Sequence, residues 1–192
     1  MYTNFEFLII LLFSYICGSI PFGLILSIKL KKGDPRNIGS KNIGATNVLR
    51  LGGWRLGLIT LLMDILKAYI PLKIVLQINE NLVGLAMISI TLGHLFPIWL
   101  KFKGGKGIST LIGILLAYNT IFCFIYLITW LISALIFRYS SLSAILATFI
   151  NLIIFFTFDP NFLYLLLISL LIIFMHFSNI KRLVSGNEDK IF

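Results

Sequence analysis

Thirty consecutive residues, 108 to 137, carry no charged side chain. Such a stretch suits the hydrocarbon core of a bilayer, where a spanning helix takes about 20 apolar residues, with a range of roughly 17–25. It is long for one span and short for two, so its fold depends on the rest of the chain. Further apolar runs occupy residues 5–28, 55–77, 82–100, 142–158 and 161–178. Over the 192 residues 59% are hydrophobic and 12% charged, whereas soluble domains carry about 25% charged residues. The expected fold class is therefore an all-α integral membrane protein.

Lysine and arginine set the orientation, because basic residues flanking a span stay cytoplasmic. Lys29, Lys31, Lys32, Arg36, Lys41, Arg50 and Arg55 follow the first run; Lys101, Lys103 and Lys106 follow the third; Arg138, and then Lys181, Arg182 and Lys190, come later. The connections at 77–81 and 159–161 have no basic residue. If Lys106 and Arg138 share the cytoplasmic side, residues 108–137 must cross twice, turning near Tyr118, Asn119 and Thr120. The expectation is seven transmembrane helices, N-terminus outside and C-terminus cytoplasmic, with a long cytoplasmic loop after the first helix.

Residues 1–192 are expected to form a single membrane-embedded domain. The first run has Glu6 before it and continues to Lys29, unlike a cleaved signal with a basic start and a small-residue cleavage site, so it is read as a span. Topology accounts for most of the net charge of +9, and no nucleic-acid partner is expected. Cys17 and Cys123 lie in apolar runs and read as small hydrophobes.

Three polar clusters interrupt this pattern. Gly93 to Gly107 reads GHLFPIWLKFKGGKG, with three lysines and three glycines between Lys101 and Gly107. Glycines let backbone N–H groups turn toward an anion, lysines add a positive field, and the helix start that follows adds its dipole. The loop KKGDPRNIGSKNIGATNVLR, Lys31 to Arg50, combines turn-forming glycines with the hydrogen-bonding groups of Ser40, Asn42, Thr46 and Asn47. Arg36 and Arg50 there are suited to phosphate. A merely membrane-adhering loop would need charge alone. The third cluster lies at the end of the last run, where His176, Asn179 and Arg182 follow at three-residue steps on one expected helical face.

Other polar positions have structural readings. Gly18 to Gly23, GSIPFG, suggests a kink and a close packing face. Asp64 and Lys67 in the second run are either an intramembrane ion pair or charges facing a cavity. His94 ends a helix and reads first as a structural group. Two distant histidines and no carboxylate cluster argue against a metal site, there is no G-x-S-x-G elbow, and no cofactor is expected. All polar clusters fall on the expected cytoplasmic side. That pattern favours an enzyme with a polar cytoplasmic substrate and a lipid product over an anion or phosphate transporter, which would place polar residues at the midplane.

The stretches GSIPFG, GSKNIGATNVLR, GHLFPIWLKFKGGKG and HFSNIKRLVSGNE together resemble the bacterial acyl-phosphate-dependent glycerol-3-phosphate acyltransferases, the PlsY family, over the whole chain. Two positions depart from that pattern: Lys41 replaces a usual glycine beside the serine, and Phe177 a usual basic residue after the histidine. The resemblance implies transfer of a fatty acyl group from acyl phosphate to the 1-hydroxyl of glycerol 3-phosphate, giving lysophosphatidate and phosphate, in the bacterial cytoplasmic (inner) membrane. Its implied partners are acyl phosphate, glycerol 3-phosphate and membrane lipid. Catalytic candidates are Ser40, Arg50, Lys106, His176 and Asn179. Substrate-binding candidates are Asn42, Thr46, Asn47, Lys101, Lys103, Gly104, Gly105, Gly107 and Ser141, and Glu188 is implied to support structure. For the hydroxyl proton, His176 is one candidate base; a substrate phosphate is the favoured acceptor.

Overall fold

A computed structural model describes residues 4–191. All regular structure among the described residues is helical. The chain forms two compact units, the first ending at Tyr118 and the second beginning at Asn119.

In the first unit the opening apolar run is two helices, α1 (Asn4–Ser19) and α2 (Phe22–Lys29), bent by 40° at Ile20 and Pro21. Proline lacks the N–H that would continue the ladder and disfavours helix at the residue before it. After the first basic loop come α3 (Ala45–Gly52), α4 (Trp54–Ile78), α5 (Val83–Leu95) and α6 (Ile108–Tyr118). Lipid gives apolar helices little reason to associate, so small residues that permit close backbone contact matter. Helix α1 meets α5 in this way: a Cβ at Gly18 would strike the Ile90 carbonyl, and one at Gly93 the Tyr15 carbonyl. The expected packing face of Gly18 is therefore present. Gly113 of α6 lies as closely against Ile65 of α4. Hydrogen bonds from Tyr15 to the Phe96 carbonyl (2.7 Å) and from Trp99 to Ser19 (2.8 Å) tie the end of α1 to the chain after α5.

The charge-free stretch breaks at Asn119, in the expected turn, where the side chain accepts the Ile121 N–H at 3.0 Å. The second unit then runs through α7 (Thr120–Phe137), α8 (Ser140–Phe158), α9 (Phe162–Met175) and α10 (Phe177–Val184). Phe122 and Phe155 pack edge to face at 4.7 Å between α7 and α8, and the buried Tyr126 hydroxyl lies 3.3 Å from Thr148. The last apolar run does not continue straight: α9 and α10 are bent by 54° at His176.

Among the described residues three helical segments, 80–100, 120–137 and 140–158, are long and apolar enough to cross a membrane, or five if each bent pair is one span. Many of their large apolar side chains face outward, including Ile121, Phe124, Ile153 and Phe156. Lipid is the solvent that such a surface suits.

Candidate active site

The loop after α2 is closed from inside by Asn47. Its side chain is buried, accepts the Ser40 N–H at 3.2 Å, and donates to the carbonyls of Pro35 (2.6 Å), Ile38 (3.2 Å) and Asn42 (2.7 Å). Expected as a substrate contact, Asn47 is occupied instead in folding the loop. Asn42 accepts the Gly44 N–H at 2.9 Å just before α3, an Asx turn that offsets an unpaired helix-start donor. Ser40 is half-buried, whereas Thr46 and Arg50 are exposed. Gly39 has φ +47°, and a Cβ there would lie 3.5 Å from Arg50 Nη1, so the guanidinium covers the turn that presents Ser40.

Arg36, which the sequence offers to phosphate, is gripped by Asp34 at 2.6 Å from Nη2 and 3.0 Å from Nε. These bonds hold the Asp34 carboxyl below its ordinary value. Lys41 adopts φ +54°, a left-handed conformation that favours glycine.

The second basic loop is built on the carboxyl end of α5. A 3-10 turn at Ile98–Leu100 is followed by Lys101 and Phe102 at φ +52° and +61°. The chain then returns, so that Gly104 and Gly105 donate their N–H groups to the carbonyls of Leu95 and His94, both at 3.0 Å. Those two amides were expected to face an anion; they fasten the loop to α5. A Cβ at Gly104 would collide with the His94 carbonyl, and one at Gly105 with the His94 ring. His94 is buried with no hydrogen-bond partner at Nδ1, and it forms the floor of the loop. Lys101 and Lys103 project outward, Lys106 is half-buried, and Gly107, at φ +89°, leads into α6.

In the second unit Glu188 gathers the polar groups. Its Oε1 accepts from Ser141 Oγ and Asn179 Nδ2, both at 2.6 Å, and its Oε2 pairs with Arg182 Nε at 2.7 Å. Ser141, expected to bind substrate, gives its hydroxyl proton to this carboxylate. His176 lies at the bend, with Nδ1 2.8 Å from the Ile172 carbonyl. A carbonyl only accepts, so Nδ1 carries the proton. The expected single face of His176, Asn179 and Arg182 is therefore divided by the bend: His176 is tied back to α9, while the other two meet Glu188. The tail is held by the Ile191 N–H on the Arg138 carbonyl at 2.8 Å.

Burial pushes the Glu188 carboxyl up, but the bonds from Ser141, Asn179 and Arg182 and the guanidinium charge outweigh it and hold it below its ordinary value. A carboxyl more acidic when folded contributes stability that is complete above its unfolded value, about 4.3, and is lost as pH falls through the folded value. We expect thermal stability to decline with acidification below that range. Glu188→Gln should flatten this decline and, near neutral pH, cost about 1–2 kcal/mol; an unchanged acid limb in thermal melts would refute the assignment.

Among the described residues no group of three His, Cys, Asp or Glu side chains is placed to hold a metal ion. The site residues offer instead cationic side chains and polar donors on two glycine-bearing loops, suited to orienting phosphorylated substrates and stabilising negative charge.

Residues 8–186 match the family model described as glycerol-3-phosphate acyltransferase. A relative of that name from Pelagibacter ubique is 45% identical over 96% of this chain and 97% of its own. Another, from Francisella tularensis subsp. mediasiatica, is 46% identical over 98% and 94%. A crystal structure of PlsY (YgiH), an integral membrane glycerol 3-phosphate acyltransferase, in its glycerol 3-phosphate form matches with a TM-score of 0.91 at 36% identity, covering 96% of this chain and 95% of that one. Its lysophosphatidic acid form matches with a TM-score of 0.89 at 34% identity over the same shares. With its outward apolar surface, its membrane-length helices and these full-length matches, the chain is an integral membrane protein and belongs to the glycerol-3-phosphate acyltransferase family.

Proposed function

We propose that this chain transfers a fatty acyl group from acyl phosphate to the 1-hydroxyl of sn-glycerol 3-phosphate. The products are 1-acylglycerol 3-phosphate and inorganic phosphate, the first acylation of phospholipid synthesis. The hydroxyl oxygen attacks the acyl carbonyl carbon, the carbon–oxygen bond to phosphate breaks, and phosphate leaves with that electron pair. The mixed anhydride is already activated, so catalysis rests on positioning and charge stabilisation. The observation that carries the reading is the loop of Lys101 to Gly107, fastened to α5 through Gly104 and Gly105 with its lysines at the start of α6, in a chain of this family.

Lys101, Lys103, Lys106 and Gly107 are assigned to glycerol 3-phosphate, with Gly104 and Gly105 shaping their loop. Ser40 and Arg50 are assigned to catalysis, with Asn42 and Thr46 beside them and Asn47 holding the loop. By the family resemblance His176 and Asn179 also take part, and Glu188 supports structure together with Ser141. A substrate phosphate is the favoured acceptor of the hydroxyl proton; the His176 ring orientation is set by its bond to Ile172. Near-normal turnover of His176→Gln would exclude the histidine as an obligatory base.

The same reading places residues 1–192 as one domain with seven spans in the bacterial inner membrane, N-terminus outside, C-terminus and both basic loops cytoplasmic. Helices α4 and α6 would be the spans beyond the five that length and composition support. Labelling of Lys32→Cys from the cytoplasmic side only would agree with this topology, and labelling from outside would reverse it.

The deciding assay mixes purified protein with glycerol 3-phosphate and acyl phosphate. Lysophosphatidate and phosphate should form in equal amounts, and a folded preparation that makes neither would overturn the proposal. Supplying acyl-CoA or acyl carrier protein in parallel tests a bulkier donor, for which the short loops offer little surface. Anion uptake into sealed vesicles without acyl transfer would point to a transporter.

A further inference from the structure

One buried charged pair has no part in the reaction as described. Lys67 Nζ lies 2.8 Å from Asp64 Oδ1 within α4, with 2% and 3% of their side chains exposed. It also donates to the Ile20 carbonyl at 2.6 Å, across 47 positions of chain. Ile20 sits in the break between α1 and α2, where Pro21 supplies no N–H and, among the described residues, the Ile20 carbonyl otherwise accepts the tight-turn N–H of Phe22 at 3.1 Å. A cavity of about 250 Å³ borders the break, walled by apolar atoms of residues including Cys17, Ile20, Phe22 and Met63. Loss of the Lys67 ammonium would remove the bond that ties this break to α4.

The first basic loop follows the far end of α2, after Lys29, and folds back against its fixed N-terminal end. Gly23, three residues after Ile20, is pressed so closely on the loop that a Cβ would strike the Ile43 carbonyl and come within 3.1 Å of Val48 Cγ2. Ile43 lies three residues from Ser40, and Val48, fully buried, is two from Arg50. Packed interiors transmit small shifts because they contain little free space. A change in the direction of α2 would be passed to the turn that presents Ser40.

We propose that Lys67, held by Asp64, is a positioning residue for acyl transfer: it ties the α1–α2 break to α4 and so sets, through α2, the loop that carries Ser40 and Arg50. This inference rests on the function proposed above. It gives the intramembrane charges a task other than contact with substrate.

The test uses full-length protein in detergent or lipid, with acyl transfer from acyl phosphate and backbone amide exchange read together. Lys67→Met should lower kcat on the order of 10–100-fold, the range expected for small misplacements, and raise exchange within residues 39–50 while the α1–α5 contact keeps its protection. Because an orphaned Asp64 can destabilise the fold, the double variant Asp64→Leu with Lys67→Met is the second arm. It should regain thermal stability and still turn over slowly, since the Ile20 carbonyl lacks its tie to α4 through Lys67. Wild-type kcat in either folded variant, or exchange raised equally through α1, α4 and α5, would overturn the positioning role. If the wild-type protein makes no lysophosphatidate, the proposed function fails, and the exchange at 39–50 still decides whether Lys67 sets the loop.

Discussion

Gly105→Ala is expected to raise the KM for glycerol 3-phosphate by on the order of 10-fold or more while the protein remains folded. The added methyl group would occupy the space of the His94 ring. That ring is buried and cannot swing outward, and the Gly105 N–H is bonded to the carbonyl of the same histidine. Relief must come from shifting the last turn of α5 or lifting the loop. Overpacking of this kind costs about 1–3 kcal/mol, which one loop can absorb by moving. Lys103 and Lys106 flank the lifted segment and would lose their placement. A double-mutant cycle separates this cause from a loss of phosphate contact at Gly105 itself. Removing the ring with His94→Ala should recover much of the KM in the double variant. An unchanged KM for Gly105→Ala, or no coupling with His94→Ala, would sink the account.

The outline of this fold is legible in the sequence because bilayers and prolines act locally. Pro21 stands at the break in the first apolar run, whereas Pro71 lies inside the continuous α4, and the charge-free stretch divides at Asn119, where polar Tyr118, Asn119 and Thr120 interrupt it. The two basic loops are legible as candidate anion sites because glycines let backbone N–H groups turn toward an anion and lysines add positive charge. What is hidden is where each polar group turns. Arg36 looks available in the sequence, but Asp34 stands two residues from it and takes it. Gly104 and Gly105 look like open backbone, whereas their lack of side chains makes room for His94, ten and eleven residues earlier. Lys67 shows its Asp64 partner through helical spacing, but nothing local announces a carbonyl 47 residues away. The 54° bend at His176 is equally hidden, because the apolar pattern runs through it. Helix α6, with 11 residues, rises about 16 Å at 1.5 Å per residue, short of a hydrocarbon core of about 30 Å; hydropathy alone does not reveal where such a segment stops.

Asn47 carries the other large effect. Sequence does not distinguish it from Asn42, since both are amides in a polar loop, yet Asn42 makes one bond to the Gly44 N–H while Asn47 is bonded to four backbone groups. Asn47→Ala would leave three carbonyls and the Ser40 N–H without that partner, and each group left unsatisfied while buried costs about 1–3 kcal/mol. Asn47→Asp keeps the volume and an acceptor for Ser40 but removes both donors and turns an oxygen toward the carbonyls of Pro35, Ile38 and Asn42. Both variants should therefore lose turnover on the order of 100-fold, consistent with a displaced Ser40. Asn42→Ala, with one half-buried bond at stake, should cost about 1 kcal/mol of stability and much less activity. Amide exchange without substrate provides the discriminating measurement. If Asn47 folds the loop, protection of residues 35–47 falls in both Asn47 variants before any ligand is added. If it instead contacts substrate, the empty loop keeps wild-type protection and only KM rises, and the positioning role assigned here would be wrong.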